Sequence, residues 1–191
     1  MLKIAEVFYS VQGEGSYTGT PAVFVRLAGC NLSCDFCDTD YSIKRFMTVR
    51  DVADEVRNLS PDCPMVIITG GEPTIQTDFE ELVRVLQADG KKIHVESNGT
   101  TFVELPLNVW LTVSPKSRVD ERMAQRANEA KLIVDRRVPS EWLDLFSAST
   151  RIFLQPEGNK PENIRIAIEA VKKSPSKFRL SLQTHKFINI R

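Results

Sequence analysis

The chain has 191 residues, with 25 Lys or Arg balancing 25 Asp or Glu. A formal net charge of zero gives it no overall attraction to nucleic acid or to an anionic membrane. With 42% hydrophobic residues it can bury one core and reads as a single domain over 1–191. The opening MLKIAEVFYSVQGEG meets polar residues and glycines too early for a signal peptide, and no apolar run approaches bilayer length, so the expected setting is the cytoplasm.

In chain order, the glycine-rich VQGEG (11–15) precedes the first predicted strand, AVFVRLAG (22–29), whose exit at Gly29 opens into CNLSCDFC. A helix is predicted over Val49–Leu59, then the strand MVIIT (65–69) running into TGGEP, then a helix over Asp78–Ala88. The strand KIHVES (92–97) runs into SNGT, and VWLTVS (109–114) into PK. A helix over Val119–Ala130 leads to the strand KLIVD (131–135), and Ser140 can cap a helix reaching Phe146 that carries Trp142, Leu143 and Leu145. RIFLQ (151–155) runs into PEG, Pro161 opens a helix over Glu162–Lys173 with Ile164, Ile168 and Val171 on one face, and RLSLQ (179–183) is the last strand.

Strands and helices alternating at this spacing favour parallel strands joined by right-handed crossovers. The expected fold class is α/β, a mostly parallel sheet curled into a complete or incomplete (β/α) barrel. Ligands of such sheets collect at the carboxyl ends of the strands, where most of these motifs lie.

Disulfides are not expected in a reducing compartment, and three of the four cysteines fall within eight residues, which points to metal or redox chemistry. Zinc would need a fourth ligand, and Cys63, His94 and His185 are all remote in sequence. A four-iron cluster held by Cys30, Cys34 and Cys37 instead leaves one iron open to a small molecule. Cys63 reads as a packing residue and His94 as structural.

CNLSCDFC resembles the CxxxCxxC signature of the radical S-adenosylmethionine enzymes, including the aromatic Phe36 before the last cysteine. That superfamily is built on a partial β/α barrel, which narrows the fold to an incomplete barrel. The resemblance implies a 4Fe-4S cluster on Cys30, Cys34 and Cys37 whose open iron is chelated by the amino and carboxylate groups of S-adenosylmethionine. One electron, from a donor such as flavodoxin or ferredoxin, would then give a 5′-deoxyadenosyl radical. The implied cofactor contacts are Phe36, Cys37, Asp38, the paired Gly70 and Gly71, Glu96 and Asn98, Ser114, Pro115 and Lys116, and Gln155. A plain turn would by itself account for the GG, NG and proline motifs.

The ordered set FYSVQGEGSYTGTPAVFVRLAGCNLSCDFCDT, TGGEP, ESNGT, SPK and LSLQTHK is similar to the 7-carboxy-7-deazaguanine synthases over nearly the whole chain. That family implies a magnesium-assisted ring contraction of 6-carboxy-5,6,7,8-tetrahydropterin to 7-carboxy-7-deazaguanine with loss of ammonia, on the route to 7-deazapurines such as queuosine. It also implies a homodimer and regeneration of S-adenosylmethionine. The implied substrate contacts are Val11, Gln12, Gly13, Glu14, Thr69 and His185, with Thr39 on magnesium through its hydroxyl. Arg26, a guanidinium in an otherwise apolar strand, is the expected partner of the pterin carboxylate, with a surface ion pair as the competing account. Ending at Arg191, the chain is expected to leave little tail over the pocket. A glycyl-radical activase would keep the cluster but leave VQGEG and Arg26 unexplained, and an iron-sulfur electron-transfer module would leave the strand-end motifs unexplained.

Overall fold

The computed structural model describes residues 1–191. Nine strands form one sheet: β1 (Leu2–Val11), β2 (Pro21–Leu27), β3 (Arg45–Met47), β4 (Met65–Gly70), β5 (Lys92–Ser97), β6 (Trp110–Val113), β7 (Glu129–Val134), β8 (Arg151–Pro156) and β9 (Phe178–Leu180). Their order is β3-β1-β2-β4-β5-β6-β7-β8-β9, open at β3 and β9. From β2 through β4 to β9 every pairing is parallel, while β1 runs antiparallel to both β2 and β3. The mostly parallel, incomplete barrel read from the sequence is the observed architecture.

The helices are α1 (Val49–Leu59), α2 (Phe79–Ala88), α3 (Glu121–Arg126), α4 (Pro161–Lys173) and a final turn, α5 (Thr184–Phe187). Thr48 and Asp51 form a reciprocal capping box at the start of α1, and Pro161 takes the first position of α4, where a missing N–H is harmless. Val52 and Val56 of α1 and Leu82 and Leu86 of α2 are fully buried in one core with Val23, Val25, Val66, Ile68, Val95 and Leu111 of the sheet. Each such side chain contributes roughly 1.5–3 kcal/mol by leaving water. No helix is long and apolar enough to cross a membrane.

Because side chains alternate across a strand, placing those residues on the helix side puts Phe24 and Arg26, Ile67 and Thr69, His94 and Glu96, Glu129 and Lys131, and Phe153 and Gln155 on the other. The helix-free face is therefore polar at nearly every strand, and the site is built there.

Four expectations need correction. β1 was not predicted: a bulge between Ile4 and Glu6 buries both Ile4 and Ala5 and breaks the two-residue alternation. The helix predicted over Val119–Ala130 stops at Arg126, because Glu129 and Ala130 pair with both β6 and β8 and so must be extended. The segment Ser140–Leu145 is a 3-10 helix, and Ser140 does not cap it; its N–H donates to Val138 O at 2.9 Å. The last strand ends at Leu180, since the chain turns off so that Thr184 N and Oγ1 can both donate to Gly13 O, at 3.0 and 2.8 Å.

Candidate active site

The polar face of the sheet encloses a cavity of about 450 Å³, lined from β1 on one side to the residues after β9 on the other. Two loops build its upper wall. After β2, residues 28–40 carry the cysteines; Cys30, Cys34 and Cys37 are all unpaired thiols that line the cavity, and a turn joins Cys37 N to Cys34 O at 3.0 Å. Burial pushes the Cys34 thiol up, Lys116 opposes this, and the neighbouring Cys30 and Cys37 reinforce it. No three His, Cys, Asp or Glu side chains are gathered around one single-ion position. Three thiols spread over one loop fit a multi-iron cluster, which takes each sulfur on a different iron.

After β4, Gly70 and Gly71 pass this loop at contact distance. A Cβ on Gly70 would lie 2.0 Å from Leu27 O, and one on Gly71 2.3 Å from Gly29 O and 2.7 Å from the Cβ of Cys30. The paired glycines are thus required by the protein's own cysteine loop, in addition to any ligand. Glu72, fully buried, fastens the next loop: its carboxylate accepts from Thr74 N at 3.1 Å, Thr74 Oγ1 at 2.7 Å, Ser97 Oγ at 2.9 Å and Asn98 N at 2.6 Å. Asn98 is largely committed to the protein, donating to Asn31 Oδ1 at 3.0 Å and accepting from Thr100 N at 2.9 Å.

The floor comes from the opposite direction. VQGEG follows the carboxyl end of β1, but β1 is antiparallel and Val11 pairs with Pro21, so this motif lies at the amino end of β2, opposite the end where the other motifs lie. Residues 12–20 instead fold inward across the sheet: Ser16 N donates to Glu129 Oε2 at 3.0 Å, Gly15 N to Ser181 Oγ at 2.9 Å, and Tyr17 packs edge-on against Trp110 with ring centroids 5.1 Å apart. This brings Val11, Gln12, Gly13 and Glu14 into the cavity. His94 lies beneath, 1% exposed; burial lowers its imidazole to about 4, and its Nε2 is 2.8 Å from Thr112 Oγ1.

Arg26 and Thr69 are register partners on β2 and β4 and line the cavity side by side. The ion pair considered for Arg26 exists: its Nε donates to Glu6 Oε1 at 2.7 Å, and the guanidinium lies 5.9 Å from the Phe8 ring centroid. Only Nε is used in that bond, so the two terminal nitrogens are available to a ligand. Phe36, Asp38, Thr39, Ser114, Lys116, Gln155 and His185 also line the cavity, whereas Pro115 is buried outside its wall. Burial pushes the Lys116 ammonium down to about 8. Burial likewise lowers His185, against the pull of Glu14. Asp38 forms an ion pair with Lys186 that joins the cysteine loop to α5, and Arg191 reaches the cavity with its guanidinium 5.6 Å from the Phe8 centroid. The tail therefore does cover part of the pocket.

Cys63 is buried away from the other cysteines, its Sγ 3.5 Å from Pro21 O and 3.4 Å from Met65 O, as a packing residue would be. The sequence reading passed over Lys131 and Glu72. Lys131, a charge inside the apolar run KLIVD, carried the same signal that drew attention to Arg26. For Glu72 the signal is its place in TGGEP, directly after the glycine pair.

Residues 24–173 match the model of the radical S-adenosylmethionine superfamily. A 7-carboxy-7-deazaguanine synthase from Bacteroides thetaiotaomicron is 42% identical over the whole of both chains. Another from Haemophilus influenzae is 36% identical over 98% of this chain and 93% of its own. The crystal structure of QueE from Escherichia coli superposes with a TM-score of 0.84 at 30% identity, covering 95% of this chain and 93% of that one.

Proposed function

Because this chain belongs to the 7-carboxy-7-deazaguanine synthase family of radical S-adenosylmethionine enzymes, we propose that its cavity ring-contracts 6-carboxy-5,6,7,8-tetrahydropterin to 7-carboxy-7-deazaguanine. Ammonia is the only other product, so the net change is an elimination without oxidation. The observation that carries this reading is one cavity with the cysteine loop above and a polar floor of Gln12, Glu14 and Arg26 below.

When bound, the 4Fe-4S cluster and S-adenosylmethionine that the superfamily implies supply a carbon radical. The chain's own work is to hold, orient and screen. Cys30, Cys34 and Cys37 would ligate the cluster, with Phe36 and Asp38 beside it. Gly70, Gly71, Glu96, Asn98, Ser114, Lys116 and Gln155 would form the cofactor wall, with Pro115 supporting it from behind. The free nitrogens of Arg26 suit a bidentate grip on the pterin carboxylate. Gln12, Glu14 and the backbone of Val11 and Gly13 would meet the edge of the ring, with Thr69 and His185 on its flanks. The Thr39 hydroxyl, at the cavity wall, would be the protein's oxygen ligand to magnesium. A single domain over 1–191, a cytoplasmic homodimer, and reduction by a flavodoxin- or ferredoxin-like donor complete the proposal.

The test is anaerobic reconstitution followed by incubation with reductant, S-adenosylmethionine, magnesium and the carboxytetrahydropterin, with products resolved by mass spectrometry. 7-Carboxy-7-deazaguanine should form with the wild type and not with Cys30→Ala. Deoxyadenosine without that product would remove the pterin from the reading while leaving the radical chemistry.

A further inference from the structure

Resting on the pterin assignment above, we infer that Lys131 is a positioning residue shared by the two halves of the site. One ammonium ties Glu14, on the substrate floor, to Glu96, on the cofactor wall, and so fixes a carboxylate where a pterin presents the N–H donors of its aminopyrimidinone edge.

Lys131 stands in the middle of β7 on the polar face and is 7% exposed. Its Nζ lies 2.5 Å from Glu14 Oε2 and 2.8 Å from Glu96 Oε2. Gln12 Nε2 donates to the other oxygen of Glu96 at 3.3 Å, and Gln183 Nε2 to the other oxygen of Glu14 at 3.2 Å. An isolated ammonium would be expensive to bury, and the two carboxylates more than offset it; with Lys116 the other ammonium on this wall, carboxylate charge still faces the cavity. A ligand edge rich in N–H donors is the natural complement of that charge.

Glu14 needs such an anchor because it sits on a loop, and the rigid element nearest its carboxylate is β7. The groups that set its charge are Lys131, Glu96, His185 and Lys116, with Glu129 and His94 beyond them. Burial by itself would raise the Glu14 carboxyl; the charge and hydrogen bond of Lys131 reverse this and hold it well below the ordinary carboxylate range. Without Lys131, burial and Glu96 both favour the protonated acid, which cannot accept two ligand N–H bonds in the same way.

The discriminating measurement is the affinity of 6-carboxypterin, the oxidised and unreactive form of the substrate, by fluorescence titration from about pH 5 to about pH 7.5. Taking the ratio of variant to wild-type affinity largely cancels the titration of His185 and of the ligand. For Lys131→Met the deficit should grow as pH falls, approaching tenfold per pH unit below the new Glu14 pKa. Lys131→Arg should keep the wild-type profile, and Lys131→Met combined with Glu14→Gln should show a deficit independent of pH. If Lys131→Met does not fold, Lys131→Gln carries the same comparison. A Lys131→Met profile parallel to that of the wild type would reduce Lys131 to a structural residue and overturn the inference. Failure of the wild type to bind 6-carboxypterin at all would overturn the pterin assignment and this inference with it.

Discussion

Substituting Gly71 by alanine tests whether the glycine pair serves the cysteine loop. The new methyl would stand 2.3 Å from Gly29 O and 2.7 Å from the Cβ of Cys30, whereas ordinary contact begins near 3.4 Å. The two loops would have to part by about 0.7–1.1 Å, and in a close-packed interior neither backbone yields freely. Overpacking of this kind costs roughly 1–3 kcal/mol of stability. Displacing Cys30 by about an ångström should reduce turnover by roughly a hundredfold. The assay is iron and sulfide per chain after anaerobic reconstitution, alongside the rate of product formation. Gly90→Ala is the control: Gly90, unlike Gly71, has a positive φ, of 78°, but an added Cβ there meets nothing within 4 Å. It should lose about 1–2 kcal/mol from backbone strain and keep a full cluster and normal turnover. Wild-type iron content and rate in Gly71→Ala would refute the proposed coupling between the loops.

Three further outcomes are expected. Arg26→Gln should raise the KM for the pterin by roughly 10–100-fold, from the loss of about 1.5–3 kcal/mol of charged hydrogen bonding, while leaving the affinity for S-adenosylmethionine unchanged; calorimetric titration of the cofactor checks the second half. Glu72→Ala should lower stability by about 2–4 kcal/mol in urea unfolding because it strands buried donors on Thr74, Ser97 and Asn98, with Glu72→Gln losing less. His94 is held near 4 in the folded protein and returns to about 6.5 on unfolding, so the unfolded chain binds the extra proton between those values. Stability from this group is complete above about pH 6.5 and declines by up to roughly 3 kcal/mol as pH falls towards 4, a slope that His94→Gln should flatten in urea melts across that range.

Much of the fold was legible because it rests on local rules. Seven predicted strands recur in the sheet, and α1, α2 and α4 lie where helical spacing and end signals put them. The failures come from competition between local and distant bonding. At Glu129 the ladders of β6 and β8 outweigh helical spacing, and at Ala5 a bulge hides a strand.

For the site, residue types and motif order sufficed for the cysteine loop, the glycine pair and Arg26, since thiol spacing, absent side chains and a lone charge in an apolar strand each have a direct chemical meaning. Only the tertiary structure could show that VQGEG enters from the opposite end of the barrel, that Glu72 fastens two loops, and that Lys131 joins Glu14 to Glu96. The contact between Lys131 and Glu14 alone spans 117 positions of sequence. What brings them together is the curl of the sheet, which follows from the packing of its apolar face and leaves no local trace in the residues that meet across the other.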